Sequence, residues 1–370
     1  MVGTGATVTS LKDSSFSVKT HLAQLVSFLA DLKVDAVLVS NPVNISYLTG
    51  YPSEDAWLLV TADRTFYITD FRYIEQARKA FGNKGIEVVE FEGSLFEKTV
   101  ELLVHLRVKK CGFEENRLTW YQFNRLKSLA GGKVRLKALS GAVEALRVIK
   151  TPDEVLAIRE AVRVNLKGFK YIEKFIRPGI TERDILYKLQ DFIRKENVGF
   201  AFPPIIASGP NSAYPHARVS GRELFPAEPV LVDFGVEKDA YKSDLTRMFF
   251  LGKMPRSFET TLRLIRGAQE AAYQKIKPGV KASAVDAAAR AFLKKNGLAQ
   301  YFGHSLGHGV GLETHEMPRM SGQSGDVLLE NMVITVEPGV YFKGKYGVRM
   351  EEMVLVTNNG CEVLSGDRDH

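Results

Sequence analysis

Apolar residues recur along this chain at helical and strand spacings in alternation. Leu22, Leu25, Val26, Leu29 and Leu32 fall three and four apart, which predicts a helix with one buried face. The run Asp35-Ala-Val-Leu-Val-Ser40 is short, continuous and apolar, and Asn41-Pro42 breaks it, so it reads as a buried strand. Short strands follow at 57–61 and 64–69 around an Ala-Asp turn, then a helix at 73–80 and a strand at 86–91. A helix at 95–106 and a strand at 110–113 continue the alternation. Strands alternating with helices predict an α/β layer domain ending near Ile149. It carries no GxGxxG or P-loop pattern, so it shows no evident nucleotide site.

Beyond residue 150 the pattern changes. Thr151-Pro152-Asp153-Glu154 is a strong helix start, with a capping residue, a proline in the first turn and acids at the positive helix end. That helix is expected to run to about Phe175 and to stop at Arg177-Pro178-Gly179. Thr181-Glu-Arg-Asp184 opens another, with Ile185, Leu186, Leu189, Phe192 and Ile193 on one face. The sequence then repeats itself. Ile176-Arg-Pro-Gly-Ile180 resembles Ile276-Lys-Pro-Gly-Val280, and Val230-Leu-Val-Asp-Phe-Gly235 parallels Ile334-Thr-Val-Glu-Pro-Gly339. Each half reads as helix, helix, β-hairpin. Two copies are too few for a solenoid and suit a pseudo-twofold sheet with its site where the halves meet.

The repeat puts acids in matching places. Asp233 corresponds to Glu337, and Asp244, past a turn expected between Glu237 and Ala240, corresponds to Glu351. All four lie in or beside apolar strand sequence, where an unpaired carboxylate is costly. Arg247 and Arg349 are candidate ion-pair partners, but four acids need more than two arginines. A third feature lies between them, the stretch from His304 through His308 to His315-Glu316, threaded with Gly303, Gly307, Gly309 and Gly311. That glycine density predicts an extended segment rather than a helical pair of metal-binding histidines. Carboxylates with one imidazole and no thiolate suit Mn²⁺, Co²⁺, Fe²⁺ or Zn²⁺. Asp233, Asp244, His308, Glu337 and Glu351 exceed the set one catalytic ion takes. Two ions about 3.5–4 Å apart fit better, and such a pair generates hydroxide from water and polarises a carbonyl. Metal-assisted hydrolysis is the chemistry this implies.

Composition narrows the class. The chain has 370 residues, 45% hydrophobic and 25% charged, which predicts a globular protein of two domains. A net charge of +7 is spread among acids without a basic run, so a nucleic-acid partner is not expected. No apolar stretch approaches membrane-spanning length, and no membrane association is expected. Residues 1–17 read as a frayed tail without a signal-peptide core. Cys111 and Cys361 share no CxxC spacing and read as unpaired thiols of a cytoplasmic protein.

Taken together the segments resemble the pita-bread-fold metallopeptidases, in the Xaa-Pro aminopeptidase and prolidase branch. The resemblance rests on Val232-Asp-Phe-Gly235, Ser243-Asp-Leu-Thr-Arg247, Gly307-His-Gly-Val-Gly311 through His315-Glu316, Thr335-Val-Glu-Pro-Gly339 and Gly347-Val-Arg-Met-Glu351. Ser208-Gly-Pro-Asn-Ser-Ala213 with Pro215-His216 belongs to it too, and Asn44-Ile-Ser-Tyr-Leu-Thr-Gly50 resembles the creatinase-like N-terminal domain of that branch. The implied fold is α+β, with a creatinase-like α/β domain over 18–148 and a pita-bread catalytic domain over 149–370. The resemblance makes Asp233, Asp244, His308, Glu337 and Glu351 the ligands of two divalent ions, Mn²⁺ first among them. Asp244 and Glu351 would bridge, and Glu337 would help take a proton from the bridging water. His315 would steady the scissile carbonyl or the oxyanion, and His216 and His304 would line the substrate site. Arg349 would orient the cluster or a substrate carboxylate. The expected substrates are Xaa-Pro dipeptides or short peptides beginning Xaa-Pro, and the expected assembly is a homodimer. An Xaa-Pro bond is a tertiary amide without N–H, so its site needs no acceptor there, only a proton donor for the leaving nitrogen. A creatinase-like amidinohydrolase dispenses with metals, and a non-catalytic peptide-binding module loses the ligands. The complete ligand set here disfavours both.

Overall fold

The computed structural model describes residues 15–82 and 84–366. Of the tail expected over 1–17, positions 1–14 lie outside the described residues, and a helix has already begun at Ser15. Two compact units divide the chain, the first ending at Arg147 and the second beginning at Val148.

The first unit runs α1 (Ser15–Phe28), β1 (Ala36–Val39), α2 (Pro42–Thr49), β2 (Ala56–Thr61), β3 (Thr65–Thr69), α3 (Ile74–Phe81) and β4 (Ile86–Glu90). It continues with α4 (Leu95–His105), β5 (Lys110–Glu114), α5 (Trp120–Ala130), β6 (Arg135–Leu139) and α6 (Glu144–Arg147). Its strands form one sheet in the order β4-β3-β2-β1-β5-β6, antiparallel through β1, β2 and β3 and parallel at both flanks. Leu38, Leu59, Phe66, Ile68, Leu103 and Leu126 pack together as a core. The Asn41-Pro42 break is also a helix start. Asn41 Oδ1 accepts from Val43 N at 3.1 Å, and Pro42 supplies a preset φ for the first turn of α2.

The second unit is built from two halves of like order. The first half has α7 (Pro152–Glu173), α8 (Glu182–Glu196), β7 (Gly199–Phe200), β8 (Ile205–Ser208) and β9 (Pro229–Phe234). An excursion of β10 (Val236–Lys238) and β11 (Tyr241–Lys242) leads to β12 (Leu245–Phe250). The second half has α9 (Arg256–Tyr273), α10 (Ala282–Lys295), β13 (Gly307–Gly309), β14 (Glu316–Met320) and β15 (Val333–Val336). Its excursion is β16 (Gly339–Phe342) with β17 (Tyr346–Arg349), followed by β18 (Glu352–Val356) and β19 (Cys361–Val363). The expected capping of α7 is present, with Thr151 Oγ1 accepting from Glu154 N at 3.3 Å and Glu154 Oε2 from Thr151 N at 2.7 Å. Asp239 and Ala240, both at positive φ, make the turn of the first excursion. Strand β9 pairs antiparallel with β12, and β15 with β18. Val162, Ile185, Leu189, Phe234 and Val333 share one core, while Ile265, Val285, Ala289, Ile334 and Val354 share another. Cys111 and Cys361 are both free, and no helix among the described residues is long and apolar enough to cross a membrane.

Candidate active site

The two strand pairs deliver the acids to one place. Asp233 lies in β9, and Asp244 immediately precedes β12. Glu337 immediately follows β15, and Glu351 immediately precedes β18, so both close an antiparallel pair whose last register is Val336 opposite Glu352. His308 is the central residue of β13, which is extended as the glycines require. A Cβ on Gly307 would stand 2.2 Å from the Thr335 carbonyl oxygen, so the backbone carrying His308 approaches β15 only because that residue is glycine. The expected metal ligands and substrate-side residues border one cavity of about 540 Å³, namely His216, Asp233, Asp244, His304, His308, His315, Glu337, Arg349 and Glu351, whereas Arg247 does not.

The donor atoms at its floor fit a divalent cation. Asp244, His308 and Glu351 each offer a ligand atom within 4.8 Å of the others. The ring nitrogen Nδ1 of His308 lies 3.1 Å from the Gly309 carbonyl, an acceptor, so Nδ1 carries the proton. The lone pair on Nε2 then faces Asp244 Oδ2 at 3.6 Å and Glu337 Oε1 at 3.5 Å. Burial, with His315 nearby, holds His308 at about 4, so the imidazole is neutral at pH 7. A lone pair set against carboxylate oxygens is repulsive unless a proton or a metal cation lies between them.

The carboxyls give the same indication. Burial, then the nearby carboxylates, raises Asp244 and Glu351 well above the ordinary range. Burial lifts Glu337 to about 8 and raises Asp233, although Arg349 opposes the shift in both. Asp233 Oδ1 is buried and has no hydrogen-bond partner among the described residues. Arg247, the other candidate counter-ion, is spent on Glu352 at 2.8 Å. The arginines therefore cannot keep all four carboxyls ionised, a bound cation could, and Asp233, Asp244, His308, Glu337 and Glu351 could together hold metal.

Around this floor runs a hydrogen-bonded wall. Arg349 is buried, and its Nη2 donates to Asp233 Oδ2 at 2.5 Å, its Nε to Thr246 Oγ1 at 3.1 Å and its Nη1 to Pro215 O at 3.2 Å and Tyr341 Oη at 2.8 Å. Thr246 Oγ1 donates in turn to Glu351 Oε2 at 2.7 Å. Tyr341 Oη lies 3.0 Å from His304 Nε2, and His304 Nδ1 lies 2.8 Å from Ser305 O, so this imidazole is fixed at both nitrogens. Burial holds His304 at about 4. His216 and His315 sit exposed at the mouth, with the His315 ring 4.3 Å from that of His308 and burial lowering its pKa. Glu316 forms a buried ion pair with Lys150 at 3.3 Å.

Sequence reasoning missed Tyr341, Thr246, Lys150 and Arg319. Tyr341 lies four residues past Glu337, but the link to Arg349 and His304 is tertiary. Arg319 also borders the cavity. It stands opposite His308 in the β13–β14 register, so the two side chains leave the sheet on one face. Its guanidinium is exposed and has no hydrogen-bond or ion-pair partner among the described residues. A register shift between His308 and Gly309 makes that pairing unreadable from sequence.

The family model for Metallopeptidase family M24 matches residues 157–358, and that for the Creatinase/Prolidase N-terminal domain matches residues 21–149. The chain belongs to metallopeptidase family M24. As an M24 metallopeptidase it is similar to the Xaa-Pro dipeptidase of Pyrococcus furiosus, 33% identical over 351 residues, covering 94% of this chain and 98% of that one. The structure of an Xaa-Pro dipeptidase from Bacillus anthracis superposes with a TM-score of 0.91 at 33% identity, over 95% of this chain and 99% of that chain. An X-Pro aminopeptidase from Thermotoga maritima superposes with a TM-score of 0.84 at 32% identity, over 91% and 97%. The α+β arrangement of a creatinase-type domain followed by an M24 catalytic domain is therefore the fold of this chain.

Proposed function

We propose that this metallopeptidase hydrolyses the bond between an N-terminal residue and proline, with Xaa-Pro dipeptides as its preferred substrates. The observation that carries the dipeptide preference is Arg319, a cation without an ion-pair partner among the described residues, beside a carboxylate-rich floor. A dipeptide ends in a carboxylate one residue past the scissile bond, and an arginine there would receive it in a two-pronged hydrogen bond. Arg349, by contrast, already donates to Asp233, Thr246, Pro215 and Tyr341, which supports the orienting half of the role expected of it.

Asp233, Asp244, His308, Glu337 and Glu351 would hold two divalent ions. Bound ions would activate water at neutral pH and polarise the scissile carbonyl. Glu337 would take the proton that the attacking water loses. His315 and His216, at the mouth, would hydrogen-bond the carbonyl oxygen as charge develops on it. Phe202 and Ile205 give the cavity an apolar wall suited to a proline ring, and His304 stands on the same cavity held by Tyr341. The donor chemistry suits Mn²⁺, Co²⁺, Zn²⁺ and Fe²⁺ alike, and the family resemblance puts Mn²⁺ first. We further infer a cytoplasmic homodimer, its location supported by two unpaired cysteines, with domains over 18–148 and 149–370.

The deciding experiment compares Xaa-Pro and Xaa-Pro-Yaa hydrolysis by metal-free protein, with and without Mn²⁺ or Co²⁺, beside Asp244→Asn. Metal-dependent cleavage favouring the dipeptide and lost in the variant is the expected result. Cleavage of neither peptide with metal bound overturns the reading, and preference for the tripeptide overturns the role given to Arg319.

A further inference from the structure

His216 is carried on a loop that leaves β8 at Ser208 and returns at Ser220. Two contacts dock its outer part against the cavity. Ser212 Oγ accepts from Gly347 N at 2.9 Å, and Pro215 O accepts from Arg349 Nη1 at 3.2 Å. One side chain closes its base. Glu182, the first residue of α8, has no exposed surface. Its Oε1 accepts from Ser208 N at 2.7 Å, Ser208 Oγ at 2.9 Å and Asn211 Nδ2 at 3.0 Å. Its Oε2 accepts from Ser220 N at 3.1 Å and Ser220 Oγ at 2.7 Å. Among the described residues no cation touches this carboxylate; Arg222 reaches Ser208 Oγ and Glu228 instead.

Burying a carboxylate is a costly way to hold a fold that apolar packing could hold. The return leg is already tied to the start of α8 by backbone bonds, Glu182 N to Arg222 O at 3.0 Å and Leu224 N to Ile180 O at 2.8 Å. What the carboxylate adds is convergence: donors from the departing strand, the following turn and the returning leg all meet on its two oxygens. We propose that Glu182 is a positioning residue for catalysis, fixing through Ser208, Asn211 and Ser220 the path of the loop that holds His216 over the cavity. This rests on the substrate-side role given to His216 above.

The second half meets the same need with different residues. Asp286 of α10 has no exposed surface, pairs with Arg290 at 2.7 Å and accepts from Leu306 N at 3.2 Å. Arg290 donates to Phe302 O at 3.2 Å and His304 O at 2.5 Å. In each half, the second helix thus gives a wholly buried carboxylate to a segment bearing a histidine of the cavity.

The test is a double-mutant cycle on hydrolysis of Ala-Pro by the metal-loaded full chain. Glu182→Gln keeps the shape but turns one acceptor into a donor. It should lower kcat/KM by about tenfold or more, chiefly through kcat, and should cost less than about twofold when added to His216→Asn. Effects that multiply in the double variant, or wild-type kinetics in Glu182→Gln, overturn the proposal. A second readout needs no activity. In metal-free protein labelled with ¹³C-histidine, the His216 signal, assigned through His216→Asn, should broaden or shift in Glu182→Gln while those of His21 and His105 stay fixed. An unchanged His216 signal overturns the proposal. If Glu182→Gln does not fold, Ser220→Ala, which removes one donor, runs the same cycle with the same expected non-additivity. Should the wild type cleave no Xaa-Pro peptide, the proposed activity falls, and the histidine spectrum alone decides the role of Glu182.

Discussion

Stripping divalent ions from this protein should destabilise its second unit, and increasingly so as the pH rises. Glu337 sits at about 8 instead of 4.5, chiefly through burial. At ~1.4 kcal/mol per pKa unit, that shift is on the order of 5 kcal/mol against the ionised metal-free fold, an upper bound because neighbouring carboxyls share the titration. The folded chain keeps this proton where the unfolded chain has released it. Stability from this group is therefore fully present below pH 4.5 and is lost as the pH climbs through about 8. Asp244 and Glu351, raised well above their usual range, act in the same direction. Ions held between the carboxylates would remove that penalty. At a hundredfold excess over Kd, binding to the folded form alone adds ~2.7 kcal/mol per site. For a unit of this size that corresponds to a rise in Tm of roughly 5–11 °C. Scanning calorimetry in chelator and in Mn²⁺, at pH values from about 6 to about 8, reads the difference directly. Asp244→Asn supplies the sharper arm. Removing one buried charge should raise the melting temperature in chelator while abolishing most of the gain from Mn²⁺. Melting curves that coincide with and without Mn²⁺ at every pH would refute the reasoning. So would a less stable Asp244→Asn in chelator, because it would mean that the arginines alone neutralise the cluster.

Three further outcomes follow from individual contacts. Arg319→Gln should raise KM for an Xaa-Pro dipeptide by ~10–100-fold, the worth of a charge-assisted hydrogen bond, with a smaller effect on Xaa-Pro-Yaa; equal effects on both would remove Arg319 from the substrate's carboxylate. Lys150→Met removes one member of a buried ion pair with Glu316 and should cost ~3–5 kcal/mol in urea unfolding, whereas a loss below about 1 kcal/mol would show the pair to be dispensable. Gly307→Ala puts a Cβ against the Thr335 carbonyl oxygen and should push His308 away from Glu337. Metal content after dialysis against Mn²⁺ should then fall, and an undiminished content would show that β13 can move aside.

Local signals carried most of the fold. The Thr151 and Thr181 caps, the Pro-Gly stops and the alternation of apolar runs are properties of a few consecutive residues, and α7, α8 and strands β1 to β5 lie where they indicated. Asn41-Pro42 was ambiguous for a physical reason: the proline that ends β1 is equally suited to the first turn of α2. Helix α5 and strand β6 went unread. Trp120 and Tyr121 are large aromatics left exposed at the start of α5, which blurs its apolar face, and β6 alternates lysine and arginine with apolar residues at a partly exposed edge.

The cavity divides along the same line. Its acids were visible because the repeat places each in or beside an apolar strand, where a buried charge advertises its need for a partner, and His308 because it stands in a glycine-threaded run of histidines. The residues that position them were not. Tyr341 joins Arg349 to His304, Thr246 joins Arg349 to Glu351, and Glu182 gathers Ser208, Asn211 and Ser220, each through contacts between segments distant in the chain. The two halves also solve this second task differently. Glu182 begins α8, whereas its counterpart Asp286 lies a turn inside α10 and works through Arg290. An internal repeat exposes what the halves hold in common, which is the strand-end carboxylate. It conceals what each half uses separately to hold its histidine in place, because those groups meet only through contacts made in the folded chain.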